Sequence, residues 1–237
     1  MNWDKKILCI IPARGGSKGV KRKNIRNING KPLIGWIIDE AKKSRYIDRT
    51  IVSTEDNEIL QTSAAFGAEV IERPMDLAGD TASSMDVVFN MLDVLKKQGY
   101  IPDFVLLLQC TSPLNRVDYI DEAIETLLKN QPYAESLVSV CKVEHPPWWL
   151  KKINENGYLE DVFEYDKKLL TRRQDFPDCY RENGAIYIAK TEKLYQYKGF
   201  ETENMFPYIM DSESSIDIDT ELDLEIADLL MKKNKYR

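Results

Sequence analysis

Ile7-Leu8-Cys9-Ile10-Ile11-Pro12-Ala13-Arg14-Gly15-Gly16-Ser17-Lys18-Gly19 is an apolar run that empties into glycines, a serine and cations. Five consecutive apolar residues before a glycine-rich turn predict a buried strand, the first of the chain. Glycines let backbone N–H groups approach an oxyanion, and Arg14, Lys18 and Lys23 add charge, so the loop suits phosphate. Between Ile11 and Ile38 there are seven basic residues and no acidic one, although the formal net charge is -6. The spacing matches neither G-x-x-x-x-G-K-[ST] nor G-x-G-x-x-G, which excludes a P-loop and a dinucleotide fingerprint. A flexible basic surface turn is the competing reading. The place of the segment after the first strand, with no acid beside it in sequence, favours phosphate.

Outward from this loop, strand and helix alternate. Pro32 opens a helix, Arg49–Ser53 reads as a strand, and Asp56 can cap a helix that runs through Phe66. Val70-Ile71 is a very short strand. Val88, Met91, Leu92 and Leu95 form one stripe of a helix over 84–98, and Ile120, Ala123, Ile124, Leu127 and Leu128 repeat the pattern. Phe104–Leu108 reads as a central parallel strand, and Leu137–Val140 and Gly184–Ile188 as two more. The fold class is therefore α/β, a mostly parallel sheet between helical layers, as a single domain over 1–237. From about 144 to 206 the rhythm breaks into aromatics and turn residues, which predicts an insertion lobe for site closure or dimer contact. Trp148 and Trp149 suit the core or dimer contact of that lobe. The chain is expected to end in a helix with a Thr220–Asp223 capping box and a buried stripe of Leu222, Ile226, Leu229 and Leu230.

Ligands of such sheets gather at the carboxyl ends of the strands, so the loop after Ile11, the segment after Ser53 and the turn after Gln109 should share one rim. Ser215-Ile216-Asp217-Ile218-Asp219 supplies a second signal. In extended conformation Ile216 and Ile218 face the core while Asp217 and Asp219 share the other face. Two carboxylates at that spacing suit magnesium, which takes one or two such groups and completes its shell with water and phosphate. The alternative is a solvated edge strand, although aspartate is depleted in strands.

Composition narrows the class further. No apolar run is long enough for a membrane span, and the opening residues carry no long apolar segment. Cys9, Cys110, Cys141 and Cys179 lack C-x-x-C spacing and read as free thiols of a cytoplasmic protein. With His145 the only histidine, zinc is not expected. The acidic balance argues against a nucleic-acid partner, whereas one concentrated basic patch fits a small anion.

Taken in order, IIPARGGSKG with Lys23-Asn24, IVSTEDNEI, GAEVIERP, DTASS, LLQCTSPL, RENGAIYI and SIDIDTELDL resemble the acylneuraminate cytidylyltransferases, the CMP-sialic acid synthetases. The motifs cover nearly the whole chain. The resemblance implies a Rossmann-like nucleotidyltransferase fold, a homodimer, Mg2+ as cofactor, and transfer of CMP from CTP to a nine-carbon 2-keto sugar acid. It places Arg14, Gly15, Gly16, Ser17, Lys18, Lys23 and Asn24 around the triphosphate, with Arg14 and Lys23 stabilising charge on the α-phosphate. It places Arg73, Ala82 and Ser84 at the cytidine, and Gln109, Thr111, Ser112, Arg173 and Arg181 at the sugar acid. Asp217 and Asp219 match the metal-binding pair, in place of a histidine base. Cys110 and Glu182 stand where this family commonly has proline, and Asn115 where it commonly has arginine. These departures leave legionaminate, pseudaminate or an eight-carbon keto-deoxy acid as alternative acceptors.

Overall fold

In the computed structural model, which describes residues 5–79 and 83–234, the opening apolar run forms β1 (Ile7–Pro12). Ile7, Cys9 and Ile11 point into one hydrophobic cluster, while Leu8 and Ile10 point into a second on the other face. A period of two explains this division, and burial on both faces explains why no polar residue interrupts the run. The chain continues through β2 (Asn27–Ile28), β3 (Lys31–Pro32), α1 (Leu33–Lys43), β4 (Ile47–Thr54), α2 (Asn57–Ala65) and β5 (Glu69–Glu72). Next come α3 (Ser84–Lys97), β6 (Phe104–Leu108), α4 (Val117–Lys129) and β7 (Ser136–Lys142). The hairpin strands β8 (Lys151–Ile153) and β9 (Leu159–Asp161) precede β10 (Tyr180–Lys190), α5 (Thr191–Tyr197), β11 (Met205–Met210) and α6 (Glu221–Asn234).

Seven strands form the main sheet in the order β11-β7-β10-β6-β1-β4-β5. β1 pairs in parallel with β4 and β6, β4 with β5, and β11 with β7. Only β10 runs antiparallel, between β6 and β7. Helices α1 and α4 pack on the face of β1 that carries Ile7, Cys9 and Ile11, and α3 packs on the other. Their buried residues include the expected stripes, Met91 and Leu95 on α3 and Ile120, Ile124 and Leu127 on α4. Each such side chain contributes about 1.5–3 kcal/mol through removal from water.

The lobe expected over 144–206 is shorter: the residues from 143 to 179 leave the main sheet, while β10 and β11 belong to it. Phe176 stacks on Trp148 at 5.5 Å and meets Trp149 and Tyr165 edge-on, so the two tryptophans build a small aromatic core for this lobe. The last helix corrects an expectation. Its capping box is present, with Thr220 N and Oγ1 both donating to Asp223 Oδ2. Its buried face, however, is Leu224, Ala227 and Met231, while Leu222 and Leu229 are 63% and 67% exposed and Ile226 also faces outward. Both stripes have helical spacing, so periodicity does not choose between them. The choice is made by Val20, Ile28, Leu33, Leu114 and Ile218, the small cluster on which α6 is laid.

Candidate active site

The loop after β1 is held from three sides. Ala13 N–H donates to the Ser53 carbonyl at 2.9 Å, and Asn24 Nδ2 donates to the Arg14 carbonyl at 2.9 Å. Arg22, in the left-handed region at φ 56°, donates to Asp56 and Glu58 at the start of α2. Glycine is required at two points. An added Cβ at Gly15 would lie 2.6 Å from Asp56 Oδ2, and one at Gly19 would lie 1.9 Å from the backbone oxygen of Asp219. At Gly16 no atom lies within 4 Å of that position, so this face of the loop is open.

The second contact at Gly19 brings in the carboxyl end of the chain. Lys23 Nζ donates to the Ile218 carbonyl at 2.6 Å and to Asp219 Oδ1 at 3.2 Å. Ile218 N–H donates to the Thr111 carbonyl at 2.9 Å, which ties the aspartate arm to the turn after β6. Asp219 N–H is fixed by Asp223 Oδ2 at 3.1 Å. A buried network anchors the start of the arm. Asn183 Nδ2 donates to Ser215 Oγ at 2.8 Å, Asn183 Oδ1 accepts from Ser139 Oγ at 2.5 Å, and Ser139 Oγ accepts from Ile186 N–H at 2.8 Å. This network spans an irregular stretch of β10 between Glu182 and Tyr187, where Gly184 adopts φ 76° facing Asp217 and Gln109.

Asp217 and Asp219 fit a cation. Asp217 Oδ1 is buried with no hydrogen-bond partner, and burial, with the Asp219 charge adding, raises its carboxyl above the ordinary range. A bond from Thr111 and the charge of Lys23 act the other way. No group of three or more potential ligands exists among the described residues. Two carboxylates with one orphaned oxygen match the sparse protein shell that magnesium takes beside phosphate.

Between the loop and the turn after β6 lies a recess of about 280 Å³ whose lining includes Arg14, Asn24, Arg73, Ser84, Gln109 and Thr111. Arg73, only 6% exposed, donates from Nη2 to the Ser53 carbonyl at 2.8 Å. Its burial lowers its pKa, with Glu55 opposing. Cys110 also lines the recess, and burial pushes its thiol up to about 12. Ala82 lies outside the described residues.

Several expectations change. The loop has acids beside it in space, if not in sequence: Asp56 and Glu58 meet Arg22, and Glu55 Oε1 accepts the Gly15 N–H at 2.7 Å. Gly15 N–H is thus engaged within the protein, as is Ser17 N–H, which donates to the Gly15 carbonyl at 3.2 Å. Ser112 is fully buried and its Oγ has no hydrogen-bond partner, so its side chain is not on the surface of the recess. Arg173 lies in a separate recess of about 360 Å³ with Lys142, Phe176 and Cys179, and Arg181 is exposed and donates to the Glu182 carbonyl. Sequence reasoning gave no role to Glu55 or Asn183. Glu55 follows the strand that reaches the expected rim, which was the available signal; nothing local marked Asn183.

Comparison with known proteins gives the family. Pseudaminic acid cytidylyltransferase of Campylobacter jejuni subsp. jejuni is 35% identical over 231 residues, 97% of each chain. CMP-N,N'-diacetyllegionaminic acid synthase of Legionella pneumophila is 35% identical over 97% of this chain and 98% of its own. N-acylneuraminate cytidylyltransferase of Escherichia coli is 33% identical over 98% of this chain and 54% of its own. A CMP:2-keto-3-deoxy-manno-octonic acid synthetase complexed with CTP shares the fold, with a TM-score of 0.70 at 19% identity over 97% of this chain and 99% of its own. Residues 8–236 match the cytidylyltransferase family model, and the chain belongs to the cytidylyltransferases.

Proposed function

We propose that this chain transfers CMP from CTP to the anomeric hydroxyl of a nine-carbon 2-keto sugar acid and releases pyrophosphate. The observation that carries the reading is the meeting of Lys23 with the Ile218–Asp219 arm, which the Ile218 N–H ties to Thr111, one of the residues lining the recess. The sugar oxygen bonds to the α-phosphorus, the bond to the β-phosphate breaks, and negative charge grows on the α-phosphate oxygens. Arg14 and Lys23 are assigned to stabilise that charge, since preorganised cations in a dry site do so at no cost in reorganisation. Gly16, Ser17 and Lys18 face the phosphate tail, while Arg73 and Ser84 bound the pocket for the base. Asp217 and Asp219 would hold Mg2+, which supplies neutralisation of phosphate charge and acidification of a bound hydroxyl.

Gln109 and Thr111 stand at the border between nucleotide and acceptor. Arg181 is the candidate reader of the acceptor carboxylate, since a guanidinium fork matches a carboxylate. The relatives spanned along their full length act, by name, on pseudaminic and legionaminic acids, which favours those acceptors beside sialic acid. We also propose a homodimer formed through the lobe, where Leu150, Ile153, Tyr158, Leu159 and Leu169 are exposed. The test is pyrophosphate release with four nucleoside triphosphates, magnesium and a panel of sialic, legionaminic, pseudaminic and eight-carbon keto acids. Release should require CTP and a nine-carbon acid together. Release with CTP alone would refute the acceptor assignment.

A further inference from the structure

Glu55 sits in an unexpected place for a carboxylate. It follows the last residue of β4 at the carboxyl rim of the sheet, and its Oε1 accepts the Gly15 N–H at 2.7 Å. Its Oε2 is buried and has no hydrogen-bond partner. The buried Arg73 guanidinium lies within reach of its charge. The loop that the functional reading gives to an oxyanion therefore already holds an anion belonging to the protein. A simple strut does not need the charge, because a glutamine amide oxygen would accept the same N–H without leaving a charged oxygen buried and unpaired.

We propose that Glu55 is a resident counter-anion that weakens the hold of the loop on phosphate, so that pyrophosphate can leave. The inference rests on the functional reading above. A loop with Arg14, Lys18, Lys23 and Arg73 around it attracts the product as strongly as the tail of the substrate. A fixed carboxylate at Gly15 raises the energy of every phosphate-bound state by like-charge repulsion, which is strong where water is excluded. CTP keeps the contacts of its base, whereas pyrophosphate has only the loop and the metal, so the product loses the larger share of its affinity.

The experiment is calorimetric titration of the full chain, with magnesium, by inorganic pyrophosphate and separately by CTP. Glu55→Gln, which can keep the Gly15 bond, should bind pyrophosphate roughly three- to tenfold more tightly than wild type. Glu55→Ala should shift in the same direction, and thermal melting of both variants checks that they are folded. A strut would give the opposite sign, so equal or weaker pyrophosphate binding in either folded variant overturns the proposal while leaving the functional reading intact. Wild-type protein that takes up neither CTP nor pyrophosphate overturns both.

Discussion

Lys23 Nζ lies 3.2 Å from Asp219 Oδ1 although 196 residues separate the two in the chain. The same ammonium donates to the Ile218 carbonyl, and Gly19 passes so close beneath Asp219 that only hydrogen fits on its α-carbon. The phosphate-type loop and the aspartate arm are thus two walls of one site.

Asp217 is a half-buried carboxylate with one buried, orphaned oxygen. Removing its charge removes a desolvation penalty, so Asp217→Asn should melt at or above wild type without metal, by about 1–3 kcal/mol of added stability at most. Magnesium should raise the melting temperature of wild type by mass action and leave that of the variant unchanged. Pyrophosphate release by Asp217→Asn with Asp219→Asn should be abolished. A variant that melts well below wild type would show instead that the pair is structural.

Gly19 and Gly16 should behave oppositely. An added methyl at Gly19 meets the Asp219 carbonyl oxygen at 1.9 Å, so the arm has to move. Overpacking of this kind costs about 1–3 kcal/mol, which for a chain of this size lowers the melting temperature by about 3–10 °C. Gly16→Ala meets nothing, and its melting should match wild type while CTP affinity falls. Differential scanning calorimetry with CTP titration separates the two; equal melting points would contradict the packing described.

Asp56 caps α2 through the N–H groups of Glu58 and Ile59 and pairs with Arg22, and the bond from Arg22 holds its carboxyl below the usual range. A depressed folded-state pKa contributes stability that is present above the unfolded value, about 3.9, and is lost as pH falls through the lower folded value. Asp56→Asn keeps a good cap and deletes the ion pair. At pH 7 it should cost about 1 kcal/mol in urea unfolding, and the gap to wild type should close towards pH 2. A gap that widens in acid would contradict the assignment.

Cys110 lines the recess beside the glycine loop, yet burial lifts its thiol to about 12. At pH 8 only about one thiol in ten thousand is then ionised, and the thiolate is the reactive form. Iodoacetamide should modify the partly exposed Cys179 first and leave Cys110 untouched in the native protein. Labelling of Cys110 within minutes, read by mass spectrometry, would show that the recess is wetter than its packing implies.

Much of the fold was legible in local pattern. Continuous apolar runs at Ile7–Ile11 and Phe104–Leu108 marked buried strands, and spacing of three and four marked α3 and α4. The two segments of the candidate site, the glycine loop and the Asp217–Asp219 pair, were legible because each is contiguous, and the structure brings them together. Features set by long-range packing were not. The acids that approach the loop come from the next strand end, 40 residues away at Glu55, and the burial of Ser112 depends on how its turn seats on the sheet. The antiparallel direction of β10 leaves no mark in its composition, since an apolar run reads alike in both directions. The outward face of α6 carries Leu222 and Leu229, as apolar as the face that is buried, so only the partner surface decides.

The most direct test of the central claim is turnover of Lys23→Ala at saturating CTP, magnesium and acceptor. Loss of one preorganised donor to the growing phosphate charge should lower the rate by about 10²–10³, with the melting temperature within a few degrees of wild type. A folded Lys23→Ala enzyme that turns over at close to the wild-type rate would contradict the account.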